Sequence, residues 1–129
     1  MLVTIPDLLT REEVAYIRQV LESTDWVDGR ATAGDQAGKV KKNLQVPVDG
    51  AEGRELGNIV LRALGRNPVY SSAALPLHVL PPMFNRYDEG MTFGAHVDGS
   101  IRVIPGTSQR IRTDVSTTIF LTPPEDYDG

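Results

Sequence analysis

Proline placement divides this chain more sharply than any other feature. Up to Asn67, apolar residues recur at helical spacing; beyond it the character changes, with prolines at 68, 76, 81 and 82 set against long helices. Proline lacks the backbone N–H and clashes with the preceding turn, so only short elements are expected after residue 67.

Before that boundary two helices are predicted. Thr10 and Glu13 have the spacing of a capping box, in which each side chain satisfies the other residue's free N–H. Behind it Val14, Ile17 and Leu21 form an apolar stripe flanked by Tyr16 and Val20, which predicts a helix over about residues 11–23. The polar, glycine-rich run Asp25–Gly38 reads as a loop, and Lys39–Val48 as a short strand that Pro47 interrupts. A second stripe, Leu56, Ile59, Val60, Ala63 and Leu64, predicts another helix. It starts near Asp49 or Gly50, and Gly65 is placed to end it.

The remainder is rich in strand-forming residues: Leu75–Leu80, Met83–Tyr87, Thr92–Val97 and Thr113–Thr122. Asp88-Glu89-Gly90 reads as a hairpin connection, with Gly90 free to take positive φ. Helices followed by antiparallel strands predict an α+β fold with helices packed on a sheet or sandwich. Residues 1–67 read as a helical support region and 68–129 as the β portion. A β sandwich uses about eight strands and roughly five or six are visible, so the chain is expected to stop before its core closes.

Composition removes several function classes. The chain has 129 residues, 40% hydrophobic and 23% charged, as expected of a globular domain. A net charge of −4 argues against nucleic acid as the main partner, since phosphate neutralisation needs a basic face. The one basic run, Lys39, Lys41 and Lys42, reads as a solvated loop. No stretch reaches the roughly 20 apolar residues of a membrane span, and no signal peptide is visible, so the expected location is the cytoplasm. The absence of cysteine removes disulfides, thiolate metal sites and cysteine nucleophiles together.

Two histidines remain, His78 and His96. His96-Val97-Asp98 has metal-site spacing: on a strand, residues i and i+2 share a face about 6.5–7 Å apart. Both can then converge on one ion at bond lengths of about 2.0–2.2 Å. Imidazole plus carboxylate is two-thirds of the facial triad that leaves positions open on non-haem iron. A strand-end histidine beside a turn aspartate capping Gly99 would give the same letters, so the pair alone is not specific.

Its surroundings narrow the choice. The stretch Pro82–Arg102 (PMFNRYDEGMTFGAHVDGSIR) resembles the first core strands of the prolyl-4-hydroxylase-like dioxygenases, most closely the bacterial PKHD-type hydroxylases. There an Asn-Arg-Tyr strand, a glycine turn and a strand ending in H-x-D follow in order. Arg112–Gly129 resembles the next core strand, and Thr4–Arg18 with Trp26–Gly34 resembles the opening helix and the stretch after it.

The resemblance implies N-terminal helices on an incomplete double-stranded β-helix, or jelly-roll, core. It implies Fe(II) held by His96 and Asp98, 2-oxoglutarate and dioxygen as cosubstrates, and ascorbate to restore ferrous iron. No catalytic residue is implied beyond the metal ligands. Tyr87 matches a strand tyrosine that reaches 2-oxoglutarate in related enzymes; a half-buried core phenol is the plainer reading. The implied activity is C–H hydroxylation coupled to oxidative decarboxylation of 2-oxoglutarate, on prolyl or lysyl side chains or an unidentified substrate. The family's third ligand, a histidine, and the basic residue that anchors 2-oxoglutarate are expected past Gly129, so the 129 residues alone are expected to be inactive.

His78, between prolines and upstream, is a poor third ligand, and Arg102, Arg110 and Arg112 read as solvent or loop charges. Met83 and Phe93 read as core. Asn85 and Arg86 face opposite sides of one strand, where an edge or surface role is the plainer reading. Two alternatives stay open: a non-catalytic jelly-roll binding domain, and another cupin-like metal enzyme. No reading of oligomeric state is possible from the residues.

Overall fold

In the computed structural model, which describes residues 1–29, 41–93 and 98–126, helix α1 spans Arg11–Glu22. The capping box forms as expected. Thr10 Oγ1 accepts from the Glu13 N–H at 3.1 Å, and Glu13 Oε1 accepts from the Thr10 N–H at 2.9 Å. Ile17, from the middle of the stripe, is completely buried. No glycine ends this helix. The Val20 carbonyl accepts from the Ser23 N–H at 3.2 Å and also from the Ser23 and Thr24 hydroxyls, which closes the last turn.

The second helix, α2, runs Ala51–Arg66 and buries Leu56, Val60, Ala63 and Leu64, with Ile59 half-buried beside them. Gly65 does not stop it. The stop comes at Asn67, because the residue before a proline is pushed out of the helical region; Asn67 has φ −93°, ψ 114°. Asn67 then opens a third helix, α3 (Pro68–Ala74), its side chain accepting from the Tyr70 N–H at 2.9 Å with Pro68 in the first turn. This short helix was not anticipated, although Asn-Pro is an N-cap followed by the one helical position that favours proline.

The strands are short and antiparallel. They are β1 (Val27–Asp28), β2 (Lys41–Lys42), β3 (Leu44–Gln45), β4 (Asn85–Arg86), β5 (Thr92–Phe93), β6 (Ile101–Val103) and β7 (Arg110–Arg112). Three make one sheet in the order β1-β3-β4, while β2 pairs with β5 and β6 with β7. Lys41 and Lys42 therefore lie on a strand, not a loop; Lys39 lies outside the described residues.

Several strand expectations need correction. Leu75–Leu80 forms no strand: Leu75 caps α3 in the left-handed conformation and Leu77 is exposed, with prolines on either side removing ladder donors. Thr113–Thr122 forms no strand either, although the Thr113 N–H donates to the Ser100 carbonyl at 2.9 Å. Its Ile119 and Leu121 instead pack partly on the helical core, and Arg18 Nη1 donates to the Leu121 carbonyl at 2.7 Å. The β6–β7 hairpin was not foreseen as strands. Its turn contains Pro105-Gly106, with Gly106 at φ 79°.

The Asp88-Glu89-Gly90 turn exists, with Gly90 at φ 81° and the Met91 N–H donating to the Asp88 carbonyl at 2.9 Å. It does not join two paired strands, however. The strands on either side, β4 and β5, both run antiparallel to the single stretch 41–45: Leu44 pairs with Arg86 and Lys42 with Thr92. Only Asn43 on one side is set against residues 87–91 on the other, so the turn is an excursion from an interrupted strand.

The architecture is α+β. One core joins the layers: Leu9 and Ile17 from the first helix and its approach, the α2 stripe, Tyr70 from α3, and Val46 and Phe84 from the sheet strands' ends. Phe84, not Met83, is the buried member of its segment; Met83 is half-buried.

Candidate functional site

The geometry centres on β4, on Tyr87 just after it, and on the stretch 43–45 facing them. Asn85 and Arg86 are both exposed on an edge strand, each held from a different side. On one face, Gln45 lies directly across the ladder from Asn85, and its Nε2 donates to Asn85 Oδ1 at 2.6 Å. Asn43, two residues earlier and so on the same side as Gln45, donates more weakly from Nδ2 to that oxygen at 3.4 Å. The Gln45 amide also approaches Met83 Sδ at 3.9 Å. On the other face, the Arg86 guanidinium lies 5.8 Å from the centre of the Trp26 ring and donates from Nε to Asp88 Oδ1 at 2.7 Å. Trp26 is itself tied to the end of α1, donating from Nε1 to the Leu21 carbonyl at 3.3 Å. This strand is thus clamped immediately before Tyr87 and the turn.

Tyr87 is 49% exposed, which departs from the half-buried core phenol that was the plainer expectation. Its phenol has room to meet a ligand. Asp98 is exposed, three positions before β6. His96, the other expected ligand, lies outside the described residues, as do Gly94, Ala95 and Val97, so the mutual geometry of the pair is not described. His78 is exposed on the segment between Pro76 and Pro81. Arg102, Arg110 and Arg112 sit on β6 and β7, exposed; Arg112 Nε donates to Asp114 Oδ1 at 2.7 Å.

Among the described residues no group of three His, Asp or Glu side chains converges on a point. The fit to ferrous iron therefore rests on donor chemistry. An imidazole and a carboxylate two residues apart follow β5, with no thiolate to favour zinc or an iron–sulfur cluster.

Sequence reasoning missed Asn43 and Gln45. Both are buried polar residues, 4% and 2% exposed. The available signal was their i, i+2 spacing in a segment already read as a strand, but polarity in such a pattern ordinarily marks the solvent face.

No protein-family model matches the chain. Individual relatives do, and along its whole length. It is 87% identical over 129 residues to a PKHD-type hydroxylase of Paracoccus denitrificans, covering 100% of this chain and 57% of that one. To PKHD-type hydroxylase GOX0559 of Gluconobacter oxydans it is 64% identical with the same coverage. To a PKHD-type hydroxylase of Cupriavidus metallidurans it is 65% identical over 130 residues, again 100% and 57%.

By sequence the chain is similar, along all of its 129 residues, to PKHD-type hydroxylases.

The chain spans a little over half the length of these relatives. No helix among the described residues is long and apolar enough to cross a membrane.

Proposed function

We propose that this chain forms part of an Fe(II)- and 2-oxoglutarate-dependent dioxygenase, in which His96 and Asp98 are two iron ligands and Tyr87 contacts 2-oxoglutarate. The observation that carries the reading is the match of all 129 residues to PKHD-type hydroxylases, taken with the His96-Val97-Asp98 spacing in this sequence. On this reading residues 1–67 support, and 68–129 begin, a double-stranded β-helix core in a cytoplasmic enzyme.

Each residue suits its role. His96 ligates as the neutral imidazole and Asp98 as the carboxylate, so metal uptake releases protons and weakens in acid. Asp98 offsets only part of the ion's charge, leaving a positive centre for an anionic cosubstrate. Tyr87, exposed just after a strand clamped through Asn85 and Arg86, presents a phenolic donor suited to a carboxylate oxygen. Bound iron supplies dioxygen activation, driven by decarboxylation of 2-oxoglutarate to succinate and carbon dioxide, with one oxygen atom placed in a substrate C–H bond. Ascorbate serves as the reductant that keeps the metal ferrous. Prolyl or lysyl side chains are the substrates the family name points to.

Calorimetric titration with Mn(II), an inert stand-in for Fe(II), tests the ligand assignment. In the protein extended to the length of its relatives, His96→Ala and Asp98→Ala should each weaken binding at least tenfold, while the 129-residue chain should bind weakly. Unchanged affinity in both variants would remove His96 and Asp98 from the metal site and leave the non-catalytic binding domain as the better reading.

A further inference from the structure

Among the described residues, one buried polar side-chain atom is without a hydrogen-bond partner: Asn43 Oδ1. Asn43 is 4% exposed, so the oxygen has given up water without replacement. A buried acceptor left in that state destabilises a fold, and its persistence calls for a reason.

The orientation of the amide follows from its neighbours. Asn85 Oδ1 takes a short hydrogen bond from Gln45 Nε2, at 2.6 Å, and the Asn43 amide turns its nitrogen toward the same oxygen. The atom left over is therefore the carbonyl, an acceptor. Its position is equally specific. Asn43 is the one residue set against 87–91, beside Tyr87, and the strand just before it, β2, pairs with β5, which leads toward His96.

We propose that Asn43 Oδ1 is a substrate-recognition atom that accepts a hydrogen bond from a neutral amide N–H of the molecule to be hydroxylated, as in a peptide. The inference rests on the dioxygenase reading and deepens it. 2-Oxoglutarate at neutral pH offers only acceptors and cannot satisfy a carbonyl oxygen. Among the described residues, the side chains hydrogen-bonded beside it, those of Gln45 and Asn85, are uncharged amides like its own. A cation brought there would lose water without gaining a counter-charge, so the fitting partner is a neutral donor.

The test uses Asn43→Leu, which keeps the side chain's approximate volume and removes the carbonyl, in the protein extended to the length of its relatives. The probes are N-acetyl-L-proline methylamide and its dimethylamide, which differ by the one N–H. Binding is followed by ligand-detected NMR with and without Mn(II) and 2-oxoglutarate. The wild type should bind the methylamide about tenfold more tightly than the dimethylamide, the value of one well-made hydrogen bond. Asn43→Leu should bind the two alike, and its thermal midpoint without metal should equal or exceed the wild type's, because an unpaired buried acceptor has been removed.

Equal affinity of the wild type for both amides, or no measurable binding of either, would overturn the proposal. So would a fall in the midpoint of Asn43→Leu, which would make Asn43 a structural residue, or retention of N–H discrimination in that variant, which would point to a trapped water on the oxygen. Failure of the wild type to take up Mn(II) counts against the dioxygenase reading alone, since amide discrimination is also measured without metal.

Discussion

Helix α2 contains Gly53, Gly57 and Gly65, and the structure separates them. From propensity alone, alanine at an interior glycine of a helix should stabilise by about 1 kcal/mol. At Gly53 a Cβ would lie 2.5 Å from the Pro47 carbonyl oxygen and 3.5 Å from Val48 Cα, both backbone atoms. A carbon and an oxygen ordinarily approach no closer than about 3.3 Å, so the helix or the Pro47 turn must move. Overpacking of this kind costs about 1–3 kcal/mol. With two backbone segments in conflict the upper half of that range applies, and after the propensity gain Gly53→Ala should lose about 1–2 kcal/mol. At Gly65 nothing lies within 4 Å, so Gly65→Ala should gain about 0.5 kcal/mol, reduced from the full propensity value because the helix ends one residue later. Urea unfolding followed by far-UV circular dichroism measures both, and at about 4 °C per kcal/mol the thermal midpoints should move in opposite directions. If Gly53→Ala proves as stable as wild type, the close approach of α2 to the Pro47 carbonyl is wrong, and with it the packing of the helix against the start of the sheet.

Other outcomes follow from single contacts. Glu13 closes the capping box and pairs with Arg66 on α2, with Nη1 3.2 Å from Oε2; together the Arg66 hydrogen bond and the Thr10 N–H hold its carboxyl down to about 2 from 4.5. Because the folded value is the lower one, this stabilisation is complete above about pH 4.5 and disappears as pH falls toward 2. The carboxylate is partly solvated, so Glu13→Gln should cost only about 0.5–1 kcal/mol at neutral pH, and a comparison of urea midpoints should show the two proteins converging in acid. Leu56 is fully buried, and Leu56→Ala should lose about 2–5 kcal/mol by denaturant titration; a smaller loss would mean the site collapses around the cavity. Leu75 is 79% exposed at φ 48°, so Leu75→Gly should raise the thermal midpoint by relieving about 1 kcal/mol of backbone strain, unless Leu75 makes contacts that offset it.

Interactions that close within a few residues were legible in the chain. The capping box, the stripe around Ile17, the α2 face from Leu56 to Leu64, and the positive φ of Gly90 each depend on neighbours three to eight positions apart. The strand at Asn85–Arg86 was legible for the same reason, as a short motif in a recognisable order, while His96 of the H-x-D pair lies outside the described residues. The misreadings have a common cause as well. Gly65 looked like a stop when Pro68 was the stronger one, and Asn67 was not weighed as both the end of one helix and the cap of the next.

What tertiary structure decided is everything that needed a distant partner. An extended segment becomes a strand only when another supplies a ladder of hydrogen bonds, which is why 113–121 forms no strand while 101–103 and 110–112 form a hairpin. Nothing local told that stretch 41–45 would bridge both 85–86 and 92–93, turning a presumed hairpin connection into an excursion opposite Asn43. Nor did anything local show that two amides, Asn43 and Gln45, would be buried, or that Gly53 would lie against the Pro47 carbonyl. Periodicity records which face of an element is apolar. Burial of a polar side chain or a close backbone contact is fixed only when a second segment, far away in the chain, arrives beside it.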